Sequence, residues 1–187
     1  KGKNLKETFE AILTKDSKPS VTNPSVSISL TGNGTAIKSN QEKEVGTTLT
    51  IGYSMSFNKG SYQYGPDTGI TDSNPSVRDT NGTTASTKSG SLGDVTIGDS
   101  TNYSVTGSVN YTDGTIPYTT LKNECIDKQI KAGTVSATSI HITGYRNMFY
   151  GFVNWDGDFS KINSTVIRGL KYAKKVGNGT LTDVKAT

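Results

Sequence analysis

Residues 48–57 read TLTIGYSMSF, with Leu49, Ile51, Tyr53, Met55 and Phe57 at every second position and small or polar residues between them. A period of two sends successive side chains to opposite faces of an extended strand, one face buried and the other wet. YSVTGSVNY at 103–111 repeats the pattern with Tyr103, Val105, Val109 and Tyr111, and VSISL at 26–30 with Val26, Ile28 and Leu30. Apolar residues placed this way commit the chain to sheets, and each apolar face then needs a second layer to cover it.

The supply of apolar residues limits that core. Only 31% of the 187 residues are hydrophobic, so the core is thin, while a net charge of +4 is too small to force disorder. Abundant Thr, Ser, Gly and Tyr favour short strands joined by many turns. Further strand candidates are SYQY at 61–64, DVTI at 94–97, and segments over 140–153 and 166–170. Asn58-Lys59-Gly60, Asn81-Gly82, Asp113-Gly114 and Asp156-Gly157 supply turn chemistry between them. The expectation is a mainly-β protein, an Ig-like two-sheet β-sandwich over residues 19–155. The Cys and Trp pins of antibody domains are missing, so that likeness is one of architecture.

The two ends read differently. NLKETFEAILTK at 4–15 places Leu5, Phe9, Ile12 and Leu13 at i, i+4, i+7 and i+8, one apolar stripe of a helix. Asn4 followed by Glu7 forms a capping box with Asn in place of Ser or Thr. A helix of about twelve residues is marginal alone, so residues 1–18 are expected to be an assembly segment that packs on something. Pro19 and Pro24 end the helix and lead into the first strand. Residues 156–187 form a C-terminal extension, and the start at Lys1 reads as a piece of a longer polypeptide.

No catalytic constellation emerges. His141 is the only histidine and Cys125 the only cysteine, which excludes an intrachain disulfide and every site needing two such ligands. DTNG at 79–82 and DGD at 156–158 begin like calcium loops but lack the acidic residue that would close them, so both read as turns. Six Asn residues, from Asn33 to Asn178, open N-x-S/T triplets of the kind such a composition produces by chance. No catalytic residue, metal or cofactor is expected, and the chain reads as a non-enzyme. The densest basic runs, Lys1–Lys6 and Arg168–Lys175, do not form a stripe along the sequence, so no nucleic-acid partner is expected. No apolar run is long enough for a membrane helix, and no membrane partner is expected.

The aromatics are the most informative polar-sequence exception. ITGYRNMFYGFVNW, at 142–155, holds Tyr145, Phe149, Tyr150, Phe152 and Trp155. A strand over 146–153 is apolar on both sides, which suits a core on one face and a neighbouring subunit on the other. Phe149, Tyr150 and Phe152 therefore join Leu5, Phe9, Ile12 and Leu13 as the expected assembly interface. Arg146, if enclosed there, needs a carboxylate or carbonyl partner. Tyr62 and Tyr64 stand beside the Gly65-Pro66 break. Packing beneath that loop is the favoured reading, and stacking on a sugar ring, with Trp155 as a further candidate, is the alternative.

GKNLKETFEAILTK with the Pro-rich VTNPSVSISL, SYQYGPDTGIT, QIKAGTVSATS, ITGYRNMFYGFV and STVIRGL together resemble a recurring module of bacteriophage virion structural proteins, of the tail-fibre or appendage type common in gut phages and prophages. The resemblance spans about residues 2–170. It implies an Ig-like β-domain and a non-enzymatic building block of a fibre, spike or head or tail decoration, located in the virion. It implies homo-oligomeric assembly, most naturally a trimer, with other virion proteins as partners and a host-surface glycan as the candidate ligand. Similar proteins continue with further strands past the STVIRGL-like segment, so the C-terminal extension is expected to be incomplete.

Overall fold

The alternation at 48–57 becomes the longest strand of one layer in the computed structural model, which describes residues 4–9, 19–63, 66–99, 103–117, 125–150, 157–168, 170–176 and 182–185. In chain order the strands are β1 (Val21–Thr22), β2 (Ser25–Gly32), β3 (Thr35–Ile37), β4 (Gln41–Glu44), β5 (Thr48–Asn58), β6 (Ser61–Tyr62) and β7 (Asp72–Asp79). They continue with β8 (Thr84–Ala85), β9 (Ser89–Thr96), β10 (Tyr103–Tyr111), β11 (Gly133–Ser136), β12 (Ile140–Tyr150), β13 (Lys171–Val176) and β14 (Thr182–Lys185). The protein is mainly β, and its principal sheets form a β-sandwich.

One layer runs β3–β2–β5–β9, all antiparallel. The β2–β3 hairpin turns at Asn33 and Gly34, whose φ angles of 51° and 77° are the paired positive values of a type I′ turn. Asn33 also accepts from the Thr50 amide at 2.8 Å, which extends the ladder to β5 by a side chain. On β5, Leu49, Ile51, Tyr53 and Met55 are buried and Phe57 is half-buried, so the alternation settles on the inner face.

The second layer orders β8–β7–β10–β12–β13–β14, with β11 also on β10 and β4 also on β12. Val77, Val105, Val109 and Ile142 from this layer meet Leu30, Ile51, Met55, Leu92 and Val95 from the other. Burying each such side chain contributes about 1.5–3 kcal/mol. Gly107 sits where Met55 crosses the gap: a Cβ there would come within 2.3 Å of the Met55 sulfur. Lys88, just ahead of β9, pairs with Asp72 at the head of β7 and ties the layers at one end.

β11 and β12 share one edge of β10, and the Ala137 amide donates to Gly107 O between them. β12 then runs on. Its last pairing with β10 is Ile142 opposite Tyr103, yet it continues to Tyr150, a run of about 26 Å at 3.3 Å per residue. Along this run β4 pairs parallel with residues 142–145, and β13 pairs antiparallel with residues 145–150. β14 completes a three-stranded ladder beyond the sandwich.

One expectation changes. Residues 166–168 are not strand but part of a short helix, Ser164–Arg168, which Asn163 caps, its side chain accepting from the Thr165 and Val166 amides at 3.0 and 3.2 Å. Within the C-terminal extension, β13 pairs with the outer run of β12 and β14 with β13, which continues the sheet that holds β10. The strand at Asp72–Asp79 carries Pro75, which looks unsuited to a sheet. It is tolerated because β8 pairs only with Val77 and Arg78, leaving Pro75 along an unpaired edge where no N–H is required.

Candidate assembly surface

The capping box at the N-terminus forms as its residue types dictate. The Asn4 amide donates to Glu7 Oε2 at 3.1 Å, and the Glu7 amide donates to Asn4 Oδ1 at 2.8 Å. Residues 5–9 are helical, with Leu5 74% and Phe9 54% exposed, so this part of the stripe is not spent on the protein's own sandwich. Ile12 and Leu13 lie outside the described residues.

The other exposed large apolar side chains among the described residues are Met148, Phe159, Ile162 and Ile126. Met148 is on the part of β12 that has left the sandwich. Phe159 opens a 3₁₀ turn, Phe159–Lys161, capped by Asp158 Oδ1, which accepts from the Ser160 amide at 3.0 Å and its hydroxyl at 2.7 Å. Those hydrogen bonds hold the Asp158 carboxyl below the usual carboxylate range. DGD at 156–158 thus ends in a turn cap. Among the described residues, the exposed large apolar side chains thus lie on the N-terminal helix, on β12 beyond its pairing with β10 and on the 159–162 turn, with Ile126 the one in the sandwich region.

Phe149 and Tyr150 stand on β12 opposite Tyr172 and Lys171 of β13. Phe152 and Trp155 lie outside the described residues, as does Tyr64. Arg146 is not enclosed. Its guanidinium donates to the exposed carboxylate of Asp99, and that hydrogen bond, followed by the nearby negative charge, raises the Arg146 pKa further.

Tyr62 packs inward beneath its loop, the favoured of the two readings, and its burial does not suit the alternative of a sugar-stacking platform. It is 7% exposed, its hydroxyl donates to Thr115 O at 2.8 Å, and the same oxygen accepts from the Ile130 amide at 3.0 Å. Ile70 and Ile130 share its core cluster. Gly114 is required beside it, since a Cβ there would lie 2.6 Å from the hydroxyl. The loop above is stitched down as well: Lys59 pairs with Asp67, whose carboxyl is lowered first by that bond and then by the Gly69 amide. A sugar has no aromatic face to meet at Tyr62.

The DTNG segment likewise turns inward. Asp79 is 4% exposed, and its carboxylate accepts from the Thr83 amide and the Tyr103 hydroxyl. Among the described residues, no group of three or more His, Cys, Asp or Glu is placed to hold a metal ion.

One grouping escapes a linear reading. The β12–β13–β14 register sets Arg146 opposite Lys175, Tyr150 opposite Lys171, and Lys171 opposite Lys185. These residues are far apart along the chain and become neighbours only through strand pairing. Compared with protein-family models, with curated proteins and with solved structures, the chain matches none.

Proposed function

We propose that this chain is a non-enzymatic structural component of a bacteriophage virion, in a fibre, spike or head or tail decoration, acting by oligomeric assembly and docking to other virion proteins. The observation that carries the reading is the distribution of apolar surface: Leu5, Phe9, Met148 and Phe159 are exposed on the terminal parts while the sandwich buries its own apolar set. Burying such side chains against a partner removes apolar area from water, the same driving force that builds a core.

The strand order supports the Ig-like part of the proposal. β2–β5–β9 and β8–β7–β10–β12 follow the A-B-E and C′-C-F-G order of immunoglobulin-type sandwiches. The proposed assembly is a homotrimer held by the N-terminal stripe, with Leu5, Phe9, Ile12 and Leu13 facing their counterparts and Phe149, Tyr150 and Phe152 contributing a second contact. The test is the solution mass of the chain by light scattering across a concentration series. A trimer supports the proposal, and a single-chain mass at every concentration speaks against it.

A further inference from the structure

We propose that Asn81 is a site of spontaneous deamidation in the folded chain, while Asn33, in the same tripeptide, is protected by the sheet. The two turns form a matched pair. Asn-Gly-Thr stands at 33–35 and again at 81–83, so the reacting side chain and the residue after it are identical. Both asparagines and both glycines are exposed. Gly34 and Gly82 have φ angles of 77° and 87°, and a Cβ on either would meet nothing within 4 Å. The access that glycine gives to its backbone nitrogen is therefore the same at both turns.

The difference lies in the asparagine side chain. Asn33 commits both ends to β5: its Oδ1 accepts from the Thr50 amide at 2.8 Å, and its Nδ2 donates to Thr48 O at 3.3 Å. The Asn33 amide donates to Thr50 O at 3.1 Å as well. Asn81 makes no side-chain hydrogen bond among the described residues, so its amide is free to turn. The tie at its attacking atom is the Gly82 amide, which donates to Asp79 O at 3.2 Å, the long end of the usual range.

The reaction needs only water. The Gly82 nitrogen attacks Asn81 Cγ; the N–Cγ bond forms, Cγ–Nδ2 breaks, and ammonia leaves with the amide proton. Water then opens the cyclic imide at either carbonyl. One opening gives aspartate, and the other gives isoaspartate, in which the backbone runs through Cβ and Cγ. Water in and ammonia out balance the step, with no oxidation. At Asn33 the same attack requires both side-chain bonds to β5 to break first, which slows the folded chain's reaction by about tenfold or more.

The turn carries the change inward. The Asp79 amide donates to Thr83 O at 3.0 Å, and the Thr83 amide donates to Asp79 Oδ1 at 2.7 Å. The same carboxylate accepts from the Tyr103 hydroxyl inside the sandwich. Isoaspartate at position 81 lengthens the backbone between Asp79 and Thr83 and so disturbs a buried hydrogen bond. This inference goes beyond the assembly proposal and stands without it, because each turn lies within a single chain.

The experiment ages the full chain at mildly alkaline pH, folded and in denaturant, and follows each site by mass spectrometry of tryptic peptides. Asn33 and Asn81 fall on separate peptides, 16–38 and 79–88. Asn178 of the third Asn-Gly-Thr, outside the described residues, falls on 176–185 and is read apart from them. The expected result in the folded chain is conversion at Asn81 about tenfold or more faster than at Asn33, with the two rates converging in denaturant. No conversion at Asn81 in the folded chain, or equal folded rates, overturns the proposal. A difference that persists in denaturant also overturns it, since the cause would then lie in the sequence and not in the fold. Asn81→Gln, whose longer side chain forms the cyclic imide far more slowly, is expected to keep its melting midpoint through ageing while the aged parent melts lower. An equal fall in parent and variant overturns the link through Asp79.

Discussion

The phenol of Tyr103 donates to the carboxylate of Asp79 at 3.1 Å inside the sandwich, where the two residues are 3% and 4% exposed. Burial, and next the adjacent Asp79 charge, push the Tyr103 pKa well above its ordinary value of 10.0. Below pH about 10 the folded and unfolded chains both hold this proton, so Tyr103 adds no pH dependence there. Above that pH the unfolded chain loses it first. Stability then falls by up to about 1.4 kcal/mol per pH unit until the folded phenol also ionises. Denaturant unfolding between pH 8 and 11 is expected to show this decline, and Tyr103→Phe to flatten it. An unchanged slope in the variant would remove Tyr103 as its source.

Gly144 marks the place where β12 leaves the sandwich. A Cβ there would lie 2.1 Å from the backbone oxygen of Gly98 and 3.1 Å from Val45, and backbone cannot swing aside as a side-chain tip can. Gly144→Ala is expected to destabilise by about 1–3 kcal/mol, as overpacking does. Thermal unfolding reads this as a loss of roughly 2–4 °C per kcal/mol for a chain of this size. An unchanged midpoint would mean that the crossing is looser than its geometry.

Tyr62→Phe keeps the ring and removes the hydroxyl that joins Thr115 and Ile130. Leaving the Ile130 amide without that acceptor is expected to cost about 1–3 kcal/mol. Because Tyr62 is a structural residue, the variant is expected to lose stability in a thermal melt. An unchanged melting midpoint would mean that the Tyr62 hydroxyl does not carry these two hydrogen bonds.

The sequence makes the sandwich legible where apolar residues alternate. The patterns at 26–30, 48–57 and 103–111 became β2, β5 and β10, because the inner face of each strand is chosen by hydrophobicity alone. β7 carries no such alternation, and Pro75 fits it because of an edge position that only the fold reveals. The 166–170 segment misleads because Val166 and Ile167 favour strands while a single Asn163 side chain tips the local balance to a helix. Tyr62 was ambiguous for another reason: two hydroxyl partners, Thr115 and Ile130, are 53 and 68 residues away, and no local pattern encodes them. The basic ladder had the same obstacle, its charges being split between residues 146, 171–175 and 185.

Assembly through the exposed N-terminal stripe is measured most directly by the solution mass of the intact chain beside its Leu5→Ser/Phe9→Ser variant. Both substitutions fall on exposed side chains away from the sandwich core, so folding is expected to survive them. The expected result is a trimer for the parent and a single-chain mass for the variant. A parent that is already a single chain, or a variant whose mass does not change, would contradict it.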